Sequence, residues 1–475
     1  LKGYVILVAH FWRWAAGGQP QGVLAMQRDQ CDRTSRLYEF YRVAAKRPIG
    51  DDGPPRTFSL YRGSQILTQN RNHVAVLGAT GSIGTATADV LRHLAKIDPD
   101  GGWRMWAASG HRNLDELASI AAGMDPPPER LVLSSSDAVA RFAGFDQLTG
   151  QYDVAVGADA LVDAAMSPEV DTVVAAIVGR AGLESTLAAI DSGKRVALAN
   201  KETMVVAGPL VRQMMIRSGS ELLPVDSEHS AIFQCLGNWA NATADAPQRN
   251  ASNAPRPKKL ILTASGGPFR NWSSARIADA SPADALAHPT WDMGKKISID
   301  SATMMNKALE VIEARWLFDL PAEAIEVVVH PQSIIHSMVE FEDGSVIAQM
   351  SPPDMRLPIQ YALTYPRRLP SQSPDFCRRQ THELTLEPVD HGRFPALGLG
   401  FEVAKAGGTA GAVVNAANER AVGLFLDGKI RFTDIVAGCR SVLEHHTHEQ
   451  NPPLSRLLEL DQWARNEIGL RFAVT

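Results

Sequence analysis

The chain has 475 residues, 45% of them apolar, which is enough for two or three domains with real cores and too many for a disordered tail. Its 47 basic and 52 acidic residues leave a formal net charge of −5, without the basic excess that draws a protein onto nucleic acid or an anionic membrane, so a small-molecule partner is expected. Four cysteines, Cys31, Cys235, Cys377 and Cys439, lie far apart with no C-x-x-C pair, which argues against a zinc knuckle or a disulfide framework and for a reducing cytoplasm.

Residues 1–70 carry no clean helical or strand period and end in a Pro/Gly/Arg-rich stretch, so they are read as an extension that is unstructured or arises from a misplaced start. Their Asp29, Asp32, Glu39, Asp51 and Asp52 are too acidic for a plastid-type transit peptide, and the apolar run 4–9 is too short for a signal peptide or a membrane span. From Val74 onward, apolar runs at 74–77, 103–108, 131–133, 154–156, 173–178 and 196–199 alternate with amphipathic stretches, the rhythm of βαβ units winding a parallel sheet. The first run leads into Gly78-Ala79-Thr80-Gly81-Ser82-Ile83-Gly84 and a helical pattern. Strand, glycine turn and helix in that order suit a dinucleotide, whose pyrophosphate needs close backbone approach and a helix N-terminus. A glycine turn in an unrelated α/β protein is the competing reading. The second strand runs into Ser109-Gly110-His111-Arg112-Asn113, with Arg112 where an NAD enzyme would carry a carboxylate. This favours a 2′-phosphate, hence NADP(H), unless Arg112 is an ordinary solvated arginine.

Asn200-Lys201-Glu202 follows the run at 196–199, at the end of a parallel strand where α/β folds place ligands. Lys201 is a candidate partner for a substrate hydroxyl or carbonyl and Glu202 for orienting it, against a plain ion pair at a helix start. If Pro224-Val225-Asp226-Ser227-Glu228-His229 stays extended, the i, i+2 spacing puts Asp226 and Glu228 on one side, where two close carboxylates repel unless something positive sits between them; a surface D-x-E is the alternative. The stretch 238–257 reads as a surface insertion, and its Asn241-Ala242-Thr243 as a chance acceptor triplet. Next, Ala264-Ser265-Gly266-Gly267-Pro268-Phe269 offers backbone N–H groups and a hydroxyl to a phosphate, or is simply a loop. His288-Pro289-Thr290-Trp291-Asp292-Met293-Gly294 has the residues of a lid, with a buried structural Trp291 as the other reading. A strand-like run at 297–299 precedes a helix over 302–317, on which Asn306 and Lys307 share a face with Glu310. Hard oxygen donors without Cys or an obligatory His suit Mg²⁺ or Mn²⁺. Runs at 260–263, 325–329, 337–341 and 346–349 complete an α+β unit, 365–374 reads as a linker, and the chain from 401 onward looks helical.

Six of these blocks, at 78–84, 200–202, 225–229, 264–269, 296–307 and 330–337, together resemble the 1-deoxy-D-xylulose 5-phosphate reductoisomerase family, in that family's order. The resemblance implies an α/β protein: a Rossmann-like doubly wound parallel sheet binding NADPH at 71–223, a central α+β catalytic and dimerising domain at 224–364, a linker at 365–390, and a C-terminal helical domain at 391–475. Nucleotide contacts would fall on Thr80, Gly81, Ser82, Ile83, Gly110, Arg112, Asn113, Asn200, Glu202 and Gly294. Asp226, Glu228 and Glu310 would hold Mg²⁺ or Mn²⁺, with Co²⁺ a further candidate. Substrate would meet Lys201, Ser227, Glu228 and Glu310, with Ser265, Ser301, Asn306 and Lys307 around its phosphate and His288 and Trp291 from the lid. Lys201, Asp226, Glu228, Glu310 and His288 would carry the chemistry. The implied reaction rearranges and reduces 1-deoxy-D-xylulose 5-phosphate to 2-C-methyl-D-erythritol 4-phosphate in the non-mevalonate (MEP) isoprenoid pathway, in a bacterial cytoplasmic homodimer. An NADP-dependent dehydrogenase of another sugar phosphate, which would not need three clustered carboxylates, and a catalytically silent NADP-binding protein are the rival readings.

Overall fold

An unbroken apolar run such as 74–77, the last four residues of β1 (Asn72–Leu77), needs cover on both faces, and all four are buried. In the computed structural model, which describes residues 71–237, 257–291 and 293–473, β1 lies in the middle of a seven-stranded parallel sheet. The other strands are β2 (Trp103–Gly110), β3 (Arg130–Leu133), β4 (Asp153–Val156), β5 (Thr172–Ala175), β6 (Arg195–Leu198) and β7 (Glu221–Pro224), in the order β4-β3-β2-β1-β5-β6-β7. The chain works outward through β2, β3 and β4, then returns to the other side of β1 with β5, so a crevice opens between β1 and β5 at their carboxyl ends. The helix Ser82–Ile97 starts there and buries Ala88, Leu91 and Leu94, the i, i+3 and i+6 positions of one face.

A second, mixed sheet has the order β11-β10-β8-β9-β12, formed by β8 (Pro257–Ala264), β9 (Ile325–Val329), β10 (Ile335–Phe341), β11 (Val346–Met350) and β12 (Glu387–Pro388). The helices Ser227–Leu236 and Met305–Leu317 pack against its strands. Beyond them the helices Ala396–Ala406, Ala410–Leu426, Phe432–His445 and Leu454–Ala473 close the structure. They approach at helix–helix distances that only glycine allows: a Cβ on Gly411 would collide with the Val205 carbonyl, and one on Gly400 would sit 2.6 Å from Ala308. Among the described residues no helix is long and apolar enough to cross a membrane.

Several sequence expectations are corrected. The run 297–299 is not a strand; it lies inside the helix Lys295–Thr303, with Ile299 buried and Ile297 half-buried. Three apolar-alternating residues fit one helical turn as well as a strand, and Gly294, extended at φ −60 and ψ 152, starts the helix by offering its carbonyl to Ser298. The single helix expected over 302–317 is two, broken at Met304, which turns left-handed with φ 62. Asp226 and Glu228 do not lie on an extended segment: the strand stops at Pro224, Asp226 is the extended residue before the helix Ser227–Leu236, and Glu228 is in its first turn. The strand expected at 173–178 ends at Ala175, and the next three residues form the crevice wall. Helical structure at the C-terminal end begins at Ala396 instead of 401, and β12 lies within the expected linker. Pro257 belongs to β8, not to an insertion; residues 238–256, with Asn241, lie outside the described residues, as do residues 1–70 with Cys31.

Candidate active site

The turn after β1 holds its shape through backbone geometry. Gly78 is left-handed at φ 91, its N–H donates to the Ser109 hydroxyl at 2.8 Å, and the Ala79 N–H donates to the Ser109 carbonyl at 2.8 Å. Gly84 lies so close that a Cβ there would overlap the Gly78 carbonyl. This leaves the N-terminal N–H groups of the helix Ser82–Ile97 facing the crevice without a side-chain cap, an anion seat with a partial positive charge. Replacing Gly84 with Ala must therefore push the turn outward, and NADPH affinity, read by fluorescence titration, is expected to fall about ten-fold or more.

Gly81, Ser82 and Ile83 line a cavity of about 480 Å³ that is also lined by the acidic cluster. Asp226, Glu228 and Glu310 each bring a carboxylate oxygen within 4.8 Å of the others. Two lysines lie among them. Lys201, at the start of the helix Glu202–Ser218, sits 2.5 Å from Asp226 Oδ2, 3.1 Å from Glu310 Oε1 and 2.9 Å from Asn306 Oδ1. Lys307 lies 2.7 Å from Glu228 Oε1 and also pairs with Glu310. The i, i+3 and i, i+4 relations expected along 306–310 thus hold, since the Asn306 amide also donates to Glu310.

Burial disfavours every charge here, so the partners decide the protonation state. Asp226 stays well below the usual carboxylate range, because the Lys201 charge and hydrogen bond outweigh its desolvation. Glu228 is pushed up by burial and by repulsion from Glu310, with Lys307 only partly offsetting both. Both lysines remain ammonium ions: desolvation is overcome by Asp226 and Glu310 at Lys201, and by Glu228 and Glu310 at Lys307. Three carboxylates against two ammonium groups leave room for more positive charge, and the oxygen donor set matches a hard divalent cation.

The residues expected around a phosphate and on a lid line the same cavity. Ser265, Ser301, Asn306 and Lys307 face it from the β8 turn and from the two helices that meet at Met304. A Cβ on Gly267 would press on the Ser301 carbonyl at 2.6 Å, so glycine is what lets the two phosphate segments meet. His288, Trp291 and Gly294 line it from the lid. His288 Nδ1 accepts from the Trp291 N–H at 2.9 Å, which leaves the proton on Nε2, donated to Ser265 Oγ at 3.1 Å. Burial lowers the His288 pKa, so this neutral form dominates at neutral pH. Ser227 Oγ donates to Glu228 Oε2 at 2.6 Å.

Not every expected residue reaches the cavity. Asn200 is buried with its amide committed: Nδ2 donates to the carbonyls of Ile177 and, at 2.8 Å, Gly179, while Oδ1 accepts from the Thr203 N–H at 3.0 Å. It shapes the crevice wall. Thr80, Gly110, Arg112 and Asn113 lie outside the cavity lining. Gly110 ends β2, Arg112 is exposed, and Asn113 caps the helix Leu114–Ala122. Glu202 does line the cavity, paired to Lys296 at 2.8 Å. Sequence reasoning gave no role to Lys296, His229, Glu313 or His336. Glu313 is three residues beyond Glu310 on one helix, a spacing that was available to find it; its carboxyl is fully buried, lies 3.4 Å from His229 Nδ1, and is pushed well above the carboxylate range by burial and by Asp226. Its neutral form suits the neutral His229, whose pKa burial lowers to about 4.

A nucleotide turn opening directly onto an acid–lysine cluster and a phosphate seat defines a dinucleotide-dependent oxidoreductase of a small phosphorylated substrate. Family models described as 1-deoxy-D-xylulose 5-phosphate reductoisomerase, that enzyme's C-terminal domain, and DXP reductoisomerase C-terminal domain match residues 74–208, 222–318 and 350–467 respectively. The 1-deoxy-D-xylulose 5-phosphate reductoisomerase of Rhodopirellula baltica is 57% identical, covering 83% of this chain and 93% of that protein; that of Cupriavidus pinatubonensis is 47% identical, covering 83% and 96%. Among solved structures, the Zymomonas mobilis enzyme in complex with NADPH matches with a TM-score of 0.74 at 43% identity, covering 85% of this chain and 99% of that one. A DOX-P reductoisomerase in complex with NADPH, fosmidomycin and magnesium matches with a TM-score of 0.78 at 40% identity, covering 85% and 98%. The chain belongs to the 1-deoxy-D-xylulose 5-phosphate reductoisomerase family.

Proposed function

We propose that this protein catalyses the NADPH- and divalent-cation-dependent conversion of 1-deoxy-D-xylulose 5-phosphate to 2-C-methyl-D-erythritol 4-phosphate, the isoprenoid-precursor reaction of its family. The single observation that carries the reading is the shared cavity, lined both by the glycine turn and by Asp226, Glu228 and Glu310. The carboxylate oxygens fit a hard cation such as Mg²⁺ or Mn²⁺ by spacing and donor type, and the turn fits a pyrophosphate because Gly84 leaves the backbone bare. When bound, the cation supplies Lewis acidity at the substrate's ketone and neighbouring hydroxyl, and NADPH supplies the hydride.

The remaining work falls to the chain's own side chains. Lys307 and Asn306 grip the phosphate dianion with Ser265 and Ser301, giving binding energy remote from the reacting carbons. Lys201 donates hydrogen bonds to a substrate oxygen where negative charge grows during carbon–carbon rearrangement. Ser227 and Glu228 hold the hydroxyl side of the substrate, while His288, Trp291 and Gly294 close over it and exclude water. Thr80, Gly81, Ser82, Ile83, Gly110, Arg112, Asn113, Asn200 and Glu202 are assigned to the nucleotide, Arg112 to its 2′-phosphate. On this reading residues 71–223 form the nucleotide domain, 224–364 the catalytic and dimerising domain, and 391–475 the helical domain.

The partner is a second copy. Strand β11 is an edge of the second sheet and exposes Val346, Ile347 and Met350, an apolar edge that a monomer would have to protect. The free Cys235, Cys377 and Cys439 support a reducing cytoplasmic setting. Sedimentation equilibrium at twice the chain mass is expected, and a monomer would refute the pairing. The deciding assay follows NADPH oxidation with 1-deoxy-D-xylulose 5-phosphate. Turnover is expected with Mg²⁺ or Mn²⁺ and loss of turnover with EDTA; EDTA-resistant turnover would favour a plain sugar-phosphate dehydrogenase.

A further inference from the structure

Lys296 is the second residue of the helix Lys295–Thr303, directly after the lid, and its ammonium group lies between Asp300, one turn on along the same helix, and Glu202, at the start of the helix Glu202–Ser218. Its Nζ lies 2.8 Å from Glu202 Oε1 and 2.8 Å from Asp300 Oδ2, and the side chains of those carboxylates are only 7% and 1% exposed. Asp300 is held from its other side by the fully buried Asn418 of the helix Ala410–Leu426, whose Nδ2 donates to Asp300 Oδ1 at 2.8 Å. One residue further, Glu419 is fixed by Arg465 at 2.7 Å, from the last helix. The chain neighbours of the two carboxylates are the point. Glu202 follows Lys201 of the acidic cluster, and Asp300 precedes Ser301 of the phosphate seat.

We propose that Lys296 is a positioning residue that clasps the end of β6 to the lid's trailing helix, fixing the distance between Lys201 and the phosphate seat, and that Asn418 of the C-terminal helices braces that clasp. The inference rests on the proposed reaction and adds to it a control of substrate alignment. Two buried carboxylates left without their shared ammonium repel each other and pull water into the gap, so the two segments separate. The substrate spans that gap, with its phosphate at Ser301 and its reacting oxygens at Lys201. Separation therefore strains substrate binding and turnover together. The glycine turn is anchored through Ser109 and shares no hydrogen bond with the clasp, which touches the residues assigned to the nucleotide through Glu202 alone.

The test compares the parent protein with Lys296→Met, Lys296→Arg and Asn418→Ala, measuring kcat, the KM for 1-deoxy-D-xylulose 5-phosphate, and NADPH affinity by fluorescence titration. Lys296→Met should lower kcat about ten-fold and raise the substrate KM about ten-fold, with NADPH affinity falling by less than either, because the clasp meets the residues assigned to the nucleotide through Glu202 alone. Lys296→Arg, which keeps a cation between the two acids, should recover most of the loss, and Asn418→Ala should show the same pattern more weakly. A Lys296→Met protein with parental kcat and KM overturns the proposal, as does an NADPH affinity that falls in step with turnover. If Lys296→Met does not fold, Asn418→Ala decides: parental constants overturn the clasp. A parent protein that does not turn over this substrate would refute the proposed reaction itself, an outcome distinct from equal rates in parent and variants.

Discussion

Glu228→Gln is expected to lower turnover by about a thousand-fold, roughly 4 kcal/mol of transition-state stabilisation, while NADPH affinity stays within about two-fold. The substitution is nearly isosteric and keeps an acceptor for the Ser227 hydroxyl, so the helix Ser227–Leu236 has no reason to move. What it removes is one of three negative charges around a point where a hard cation must outcompete two ammonium groups. A neutral amide oxygen is a weaker ligand for such a cation, and the Lys307 ammonium then pairs with Glu310 alone. The split in the result is informative because the glycine turn shares no hydrogen bond with Glu228; the Gly78 and Ala79 N–H groups donate to Ser109 instead. Steady-state rates at saturating Mg²⁺, set beside an NADPH titration, read both quantities. Parental turnover in the purified variant would refute the assignment of Glu228 to the cation. A parallel loss of NADPH affinity would instead mean that the two parts of the cavity are mechanically linked.

The parts of this site that could be read in the sequence are those whose chemistry is local. The turn at 78–84 needs strand, glycines and helix in one contiguous stretch, so its role was written in adjacent residues. Asn306, Lys307 and Glu310 lie on one helix, where a fixed period converts spacing into contact. Asp226 and Glu228 were found by residue type while their conformation was misjudged: residues before and within a helix's first turn converge as well as alternate residues of a strand do. Lys296 was hidden for a related reason. Read as the edge of a strand at 297–299, it had no i, i+4 relation to Asp300, and its other partner Glu202 is 94 residues away. At Asn200 only part of the picture was legible: a polar residue at the end of a parallel strand invites a ligand role, while the hydrogen bonds of its amide to backbone are made only where the tertiary fold brings that backbone near. The clasp to Asn418 and the glycine contacts of Gly400 with Ala308 and of Gly411 with Val205 join segments far apart in the chain, and no local pattern encodes them.

Lys307→Met is expected to move two constants in opposite directions. In the protein without substrate, Lys307 acts as a competing cation, since its ammonium group satisfies Glu228 and Glu310, the same carboxylates that a divalent ion needs. Removing it leaves those acids under-neutralised, so Mg²⁺ affinity should rise by about ten-fold, a modest share of the Coulomb energy of one charge at contact distance after solvent and side-chain relaxation. The same change strips the phosphate seat of its cation, and the substrate KM should rise by about a hundred-fold as a charge-assisted hydrogen bond to a dianion is lost. Protons compete with Mg²⁺ for Glu228, which burial and Glu310 already push up and which would rise further without Lys307. The gain in Mg²⁺ affinity should therefore be larger at about pH 8.5 than at about pH 6.5, because fewer acids are protonated at the higher pH. Calorimetric Mg²⁺ titration at both pH values, with substrate KM measured alongside, reads all three effects. Weaker Mg²⁺ binding at the higher pH would mean that Lys307 organises the carboxylates for the ion instead of competing with it, and the electrostatic account of this cluster would fail.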